Sequence, residues 1–394
     1  MKILQINATY GIGSTGTIVR DIQKSCHDSG LECFVAYSLA DEFVPNGYKI
    51  GNWFSNKLHA LLSRISGKQG YFSYLPTLLF IRYLRHLQPD IVHLHNLHSN
   101  FINLPLLLRY LAKNDIKTII TLHDCWWYTG GCFHYTQAGC DRWLMGCGNC
   151  PKKKQDNPAY IFDKSASILD DRKNLMLDIP RLTIVGVSNW ISDEARKTFL
   201  SVKSIVTVHN GIDPSIFKPT PSHIRKDLGL EDKFIILGPA SKWLLDINKD
   251  ILDDFTTRMQ DDEVLLLYGA CDENCTLPPN VKLYGFTRNR KELAELYSCA
   301  DVFVNTSWED SLSLINLEAQ ACGTPVITID STAPRETVDN LYSRAVKLER
   351  VSCLYEEVNI LRSKTINDNK VREFVQKNFS EKESCKKYIE IYLN

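Results

Sequence analysis

Two carboxylates, Asp310 and Glu318, stand eight positions apart in SWEDSLSLINLEAQACGTPVI, residues 307–327. The polar turn Glu309-Asp310-Ser311 is suited to cap a helix, whose first turn presents unpaired backbone N–H groups and attracts anions. A diphosphate held there would leave Glu318, about two helical turns on, within reach of a ribose. Asp310 would lie near whatever the distal phosphate carries. Taken alone, the pair is better described as a capping aspartate and a surface glutamate.

Other side chains could serve the same chemistry. His123 ends the run KTIITLHD beside Asp124, a pair that can also simply cap a loop. His93 and His95 alternate onto one sheet face of DIVHLHN, where either can be buried structure, and His95 is the better candidate for the cleft. In GIGSTGTI, Gly11, Gly13 and Gly16 permit close backbone approach, and a helix expected from Thr17 offers an anion site. LGPASKWLLDINKD carries Lys242 and Lys249. Five of the 13 cysteines crowd into 125–150; Cys147 and Cys150 have metal-knuckle spacing, and Cys132 and Cys140 could complete a structural zinc site. Reduced packing thiols are the alternative.

These residues need a frame. Short β-rich runs (KILQINA, ECFVAYS, DIVHLHN, KTIITLHD, LTIVGVS, SIVTVHN) alternate with helical patterns, and the pattern restarts after NGIDPSIFKPTP with KFIILGPA, EVLLLYGA, VKLYGF, DVFVNTS and PVITID. The prediction is α/β, two doubly wound domains with ligands at the carboxyl ends of their strands. The expected boundaries are 1–209 with a cysteine-rich insert at 125–150, a linker at 210–220, a second domain at 221–376 and a terminal helix at 377–394.

The 394 residues suffice for two such domains, and 44% apolar with 23% charged residues is an ordinary globular balance without a nucleic-acid binder's excess of cations. Residues 1–200 hold 22 Lys and Arg against 16 Asp and Glu, and the remainder 24 against 30, so charges of +6 and −6 cancel. MKILQINATYGIG reads as a strand, not a signal peptide, and YLPTLLFIRYL, interrupted by Pro76 and Arg82, falls short of a bilayer span. A cytoplasmic protein is expected. NWFSNKLHALLSRISGK places Phe54, Leu58, Leu61, Leu62 and Ile65 at helical spacing among basic residues. It is either an ordinary helix with its stripe inward or a contact with the inner face of the cytoplasmic membrane.

The Asp-x7-Glu register with its following Gly-Thr-Pro, together with HNGIDPSIF, VKLYGFTRNRKELAELYSCAD and GIGSTGTI in that family's order, closely resembles the retaining family 4 (group 1) glycosyltransferases of GT-B fold. HLHNLHSNFINLPLL, TLHDCWWYTGGC and GCDRWLMGCGNCP resemble a subgroup from colanic acid, capsule and O-antigen clusters. The resemblance implies hexose transfer from a nucleotide diphosphate sugar, a UDP-sugar by preference, to an undecaprenyl-diphosphate-linked glycan, with no catalytic metal.

Carried over residue by residue, it implies that Glu318 holds the ribose and Asp310 the donor sugar, where the family usually has glutamate. The N–H groups of Ser311, Leu312, Ser313 and Leu314 lie near the phosphates, and Gly285 and Phe286 near the base. Lys249 binds phosphate, and Lys242 is the candidate substitute for a missing family arginine. His123 faces the donor sugar, with Asp124 its neighbour. Gly13, Ser14, Thr15, Gly16 and His95 form the phosphate and acceptor loop. Two rival readings remain: a nucleotide-sugar epimerase of similar build, and a degenerate transferase serving as scaffold.

Overall fold

The computed structural model describes residues 1–156, 158–271 and 276–394. The chain divides into two compact units, Met1–His209 with Ser384–Asn394, and Asn210–Glu383.

The first unit is a seven-stranded parallel sheet of β1 (Lys2–Ile6), β2 (Glu32–Tyr37), β3 (Gly47–Lys49), β4 (Ile91–Leu94), β5 (Lys117–Leu122), β6 (Leu182–Gly186) and β7 (Ser204–Thr207), in the order β3-β2-β1-β4-β5-β6-β7. The second repeats the scheme with six: β8 (Phe234–Pro239), β9 (Glu263–Tyr268), β10 (Val281–Gly285), β11 (Val302–Asn305), β12 (Val326–Ile329) and β13 (Arg344–Val346), in the order β10-β9-β8-β11-β12-β13. The central strands are apolar on both faces because helices cover both. Winding reverses between β1 and β4, and again between β8 and β11. The loops after those strands splay apart there and leave a crevice in each unit.

The helices that matter below are α1 (Gly13–Asp28), α2 (Trp53–Ser66), α3 (Tyr74–Leu87), α4 (Ser165–Leu177), α5 (Lys249–Arg258), α6 (Arg290–Ser298), α7 (Leu314–Ala321) and α8 (Glu381–Leu393). The last helix starts at Glu381, not 377, and its residues from Ser384 onward pack on the first unit. There Tyr388 and Tyr392 join a core with Ile3, Ile91 and Ile119. Segment 210–220 is not a free tether: Ile212 bridges Ser380, and Phe217 is buried in the second unit.

Candidate functional site

In the second unit β11 delivers the chain to the crevice and α7 carries it away. The helix starts later than the sequence suggests. Ser313 is its N-cap and makes no side-chain cap bond, so Glu309-Asp310-Ser311 is not the capping turn. Asp310 instead turns the loop: its Oδ1 accepts from Leu312 N at 3.3 Å, while its backbone N–H donates to Thr332 Oγ1 at 3.1 Å. Of the N–H groups from Ser311 to Leu314, that of Leu312 is therefore engaged within the loop. The Ser313 hydroxyl accepts from Asn305 at 3.0 Å, and the buried Ser311 Oγ has no partner.

Glu318 lies half-buried on α7 and accepts from Tyr297 Oη at 3.0 Å, which in turn lies 3.1 Å from Tyr268 Oη. Burial pushes its carboxyl up to about 7, against the opposing pull of the Tyr297 hydroxyl and the Arg290 charge. It can thus change protonation near neutral pH. Gly285 ends β10 at φ +97°, a backbone that tolerates few side chains, and the next residue, Phe286, projects its ring with 67% exposure, as a stacking surface for a flat ligand must.

Lys242 follows β8 in the short helix Ala240–Trp243, and the exposed Lys249 opens α5. What fixes them near the carboxylate loop is Asn248, which the sequence reading missed. Fully buried, it donates to Lys242 O at 2.7 Å and to Thr306 O at 3.0 Å, and accepts from Trp308 Nε1 at 2.7 Å. One amide thus fastens the lysine turn to the loop that leads into Asp310. The only sequence signal was a polar residue in a helix-entry position.

The first unit's crevice is built differently. The helix α1 begins at Gly13, not Thr17, so Gly13, Ser14, Thr15 and Gly16 form its first turn and not a loop before it. A Cβ on Gly16 would stand 2.9 Å from Thr9 Oγ1, which explains the need for glycine where turn and helix touch.

His95 lies directly beneath His123. It is fully buried, with Nδ1 3.0 Å from His123 Nε2 and Nε2 3.1 Å from Gln5 Oε1. Gln5 donates its amide N–H to Val19 O at 3.0 Å, which leaves Oε1 to accept. The tautomers follow: His95 donates to Gln5 from Nε2, accepts at Nδ1 from His123 Nε2–H, and His123 keeps a bare Nδ1 lone pair. Burial holds His123 down at about 4, with Asp124 opposing and His98 assisting, so its ring is neutral at physiological pH. His93 shares the face of His95, as alternation predicts, with ring centroids 3.9 Å apart. It is structural, held between Tyr392 Oη and Thr121 Oγ1 at 2.7 Å each.

Asp124 does not orient His123. Its Oδ1 caps the turn Cys125–Tyr128 through Trp126 N at 2.8 Å, and its Oδ2 lies 3.3 Å from His98 Nε2. Gln5, unmarked by any motif, does the orienting through His95. Its signal was an amide in an otherwise apolar strand.

Cys132, Cys140, Cys147 and Cys150 line one cavity of about 20 Å³ and form no disulfide. Residues 146–149 all adopt positive φ, and Cys147 Sγ accepts from Gly130 N at 3.3 Å. Burial pushes the Cys132 thiol up to about 12 and that of Cys147 to about 11, so both are protonated as they stand. Among the described residues no three His, Cys, Asp or Glu side chains are disposed to hold a metal ion.

The family described as Glycosyltransferase Family 4 matches residues 16–151, and that described as Glycosyl transferases group 1 matches residues 260–374. An Escherichia coli K12 protein named for colanic acid biosynthesis glycosyl transfer, WcaC, is 23% identical over the full length of both chains. The Campylobacter jejuni N,N'-diacetylbacillosaminyl-diphospho-undecaprenol alpha-1,3-N-acetylgalactosaminyltransferase is 24% identical over 42% of this chain and 46% of its own. Among solved structures, sucrose-phosphate synthase of Thermosynechococcus elongatus superposes with TM-score 0.72 at 16% identity, covering 99% of this chain and 98% of that one. Anabaena HepE in complex with UDP and glucose superposes with TM-score 0.66 at 15% identity over all of both chains. Two Rossmann-like sheets of this kind constitute the GT-B fold.

Proposed function

Because the chain belongs to the group 1, family 4 glycosyltransferases of GT-B fold, we propose that it transfers a hexose, with retention, from a UDP-sugar to an undecaprenyl-diphosphate-linked oligosaccharide during assembly of a bacterial surface polysaccharide. The observation that carries the reading is the second unit's crevice. There, a side-chain-uncapped helix start, the lysine turn fastened by Asn248, and the Tyr268-Tyr297-Glu318 chain converge on one switch point. The UDP-bound relative and the lipid-diphosphate acceptor in the Campylobacter protein's name support the choice of donor and acceptor. The colanic acid relative supports the polysaccharide.

On this reading Glu318 accepts hydrogen bonds from the ribose hydroxyls and Asp310 from the donor sugar. As the bond between the anomeric carbon and the phosphate oxygen breaks, charge grows on the diphosphate, and Lys249, Lys242 and the N–H groups opening α7 offset it. The acceptor hydroxyl bonds to the anomeric carbon on the face the leaving group vacates. Its proton passes to the departing phosphate oxygen. No covalent sugar–enzyme intermediate is required. The bare Nδ1 of His123 accepts from a donor-sugar hydroxyl and holds the ring in place.

The test is a panel of nucleotide sugars incubated with the protein and membrane lipid extract. Consumption of a UDP-sugar with appearance of an α-linked glycolipid is expected. Hydrolysis or isomerisation without an acceptor, or binding without turnover, would overturn the reading. Among the described residues no helix is long and apolar enough to cross a membrane.

Structural zinc is proposed for the cysteine cavity because four cysteines line it, although in the structure no three of them yet stand where they could hold the ion. The metal would draw them inward and deprotonate them. Elemental analysis of reduced protein should then find about one zinc per chain, and its absence would end the proposal without touching glycosyl transfer.

A further inference from the structure

The apolar stripe on α2 points the wrong way for a structural helix. Phe54, Leu58, Leu61 and Ile65 are all exposed, whereas the buried positions are His59 and Ser63. His59 is satisfied inside by Ser73 Oγ at 2.7 Å, so the inversion is built into the packing. The neighbouring α3 buries an ordinary apolar face of Phe80, Ile81, Leu84 and Leu87, yet its first turns also expose Tyr74, Leu75, Leu78 and Leu79. Between the two helices lies a groove of about 740 Å³, walled by Phe54, Leu58, Leu62, Phe72, Leu75 and Leu79. So large a contiguous apolar surface on one unit marks an interaction site.

The other side of α2 is unlike it. Ser63, Arg64 and Gly67 border a polar cavity of about 340 Å³. Its cations are Arg64, Lys152, Lys153, Lys164 and Arg172, and its carboxylates are Asp156 and Asp163. Lys152 is paired with Asp156 at 3.2 Å, and Asp163 is taken up by Ser165 and by Cys150 N. Positive charge is left over. Arg172 is the telling member: 98% buried on α4, it stacks on Trp126 at 3.9 Å, donates only to carbonyls and leaves Nε without a partner. A buried guanidinium facing carbonyls in place of a carboxylate is an anion site in waiting.

We propose that α2 is the shared wall of a site for an isoprenoid diphosphate: the hydrocarbon chain enters the groove between α2 and α3, and the diphosphate enters the cationic cavity behind. The two lie on opposite sides of α2, whose diameter with side chains is about 10–12 Å, so the lipid would occupy both by passing around the helix, which a long isoprenoid chain can do. The segment Tyr160, Ile161, Phe162 extends the apolar face around the rim, tied to α2 by Tyr160 N donating to Arg64 O at 2.9 Å. Charge decides between a lipid and a second protein. Lys57 and Lys68 flank the stripe, and the cavity surplus is positive, which suits an anionic amphiphile at a membrane surface. The identification of this lipid as the acceptor's carrier rests on the glycosyltransferase reading; the site itself does not.

The experiment is flotation of the full chain with vesicles of phosphatidylcholine alone, or doped with a polyprenyl diphosphate, the matching polyprenol, or phosphatidylglycerol. The diphosphate should strengthen binding at least about tenfold over polyprenol. Phe54→Glu with Leu58→Glu should abolish binding to every vesicle, and Arg64→Glu with Lys153→Glu should remove only the diphosphate increment. UDP binding and thermal midpoint should stay at native values in both, which excludes misfolding. Equal binding to phosphatidylglycerol and diphosphate vesicles, or native lipid binding by the Phe54 and Leu58 variant, would overturn the proposal. Failure of the native protein to consume any nucleotide sugar, with these lipid results intact, would overturn glycosyl transfer alone.

Discussion

The two units share a sheet order and a switch point yet arm them in opposite ways. The second unit's crevice holds its carboxylates on one local segment, and its ionisable group, Glu318, is pushed up to about 7 by burial. The first unit's crevice holds a histidine that burial drives down to about 4, oriented by a neutral relay of His95 and Gln5. One crevice is adaptable in charge and the other preset in hydrogen bonding. On the proposed reading the former takes the nucleotide diphosphate, and the latter helps to orient an uncharged sugar.

The sharpest break in that comparison is His123→Ala. If its Nδ1 stabilises the transition state as an oriented acceptor, transfer should fall by about 10²–10³-fold with nucleotide affinity unchanged. A ring already neutral above about 4 adds no titration of its own, so native and variant pH–rate profiles should share one shape between about pH 6 and 8. Imidazole rescue that grows with pH would instead make His123 a base. Gln5→Leu should give a smaller loss of the same kind, since it frees the His95 tautomer without removing His123. Steady-state rates with native UDP affinity would confirm the relay; loss of UDP affinity would refute it.

Next in size is the split between the two carboxylates. Glu318→Ala should weaken free UDP by about 1.5–3 kcal/mol, the worth of a charged hydrogen bond, whereas Asp310→Ala should spare UDP and lower transfer. Calorimetric titration decides it, and equal losses would mean that the ends are misassigned. Asn248→Ala should lie between. It disconnects the lysine turn from the 306–308 loop, so both UDP affinity and transfer should fall, together with a drop in unfolding midpoint for the orphaned carbonyls.

How much of this was legible before the structure depended on distance along the chain. Asp310 and Glu318 announce themselves because their relation is local, and the alternation of β-rich runs with helical patterns is enough to foresee two parallel sheets. The Gln5-His95-His123 relay joins positions 90 and 28 residues apart, and only the adjacency of β1, β4 and β5 brings them together. Asn248 reaches 58 and 60 residues onward in the same manner. Periodicity found the α2 stripe but not its direction, because a 3.6-residue repeat reports which residues share a face and not which face is inward. Asp124 takes the loop-capping alternative that its position beside His123 left open, because sequence neighbours at a strand end point apart, and His98, 26 positions earlier, meets its other oxygen.

The smallest expected effect is also the most specific to Glu318, a fraction of one proton. A carboxyl held up at about 7 is largely protonated near pH 6, and two ribose hydroxyls that both donate to it require the ionised form. UDP binding near pH 6 should therefore release protons, the release should vanish by about pH 8, and affinity should rise with pH through about 7 before levelling. The stability consequence has the same origin and the opposite sense. With its folded pKa above the usual 4.5, the group makes the unliganded protein less stable as pH rises from about 4.5 to about 7, because over that window the unfolded chain binds fewer protons than the folded one. Calorimetry of UDP binding in buffers of different ionisation enthalpy measures the proton directly. The nucleotide's own phosphate titration is common to native protein and Glu318→Gln, so the difference between them isolates the carboxyl. The variant should lose the release and the pH dependence together; identical proton counts in the two proteins would place the ribose away from Glu318.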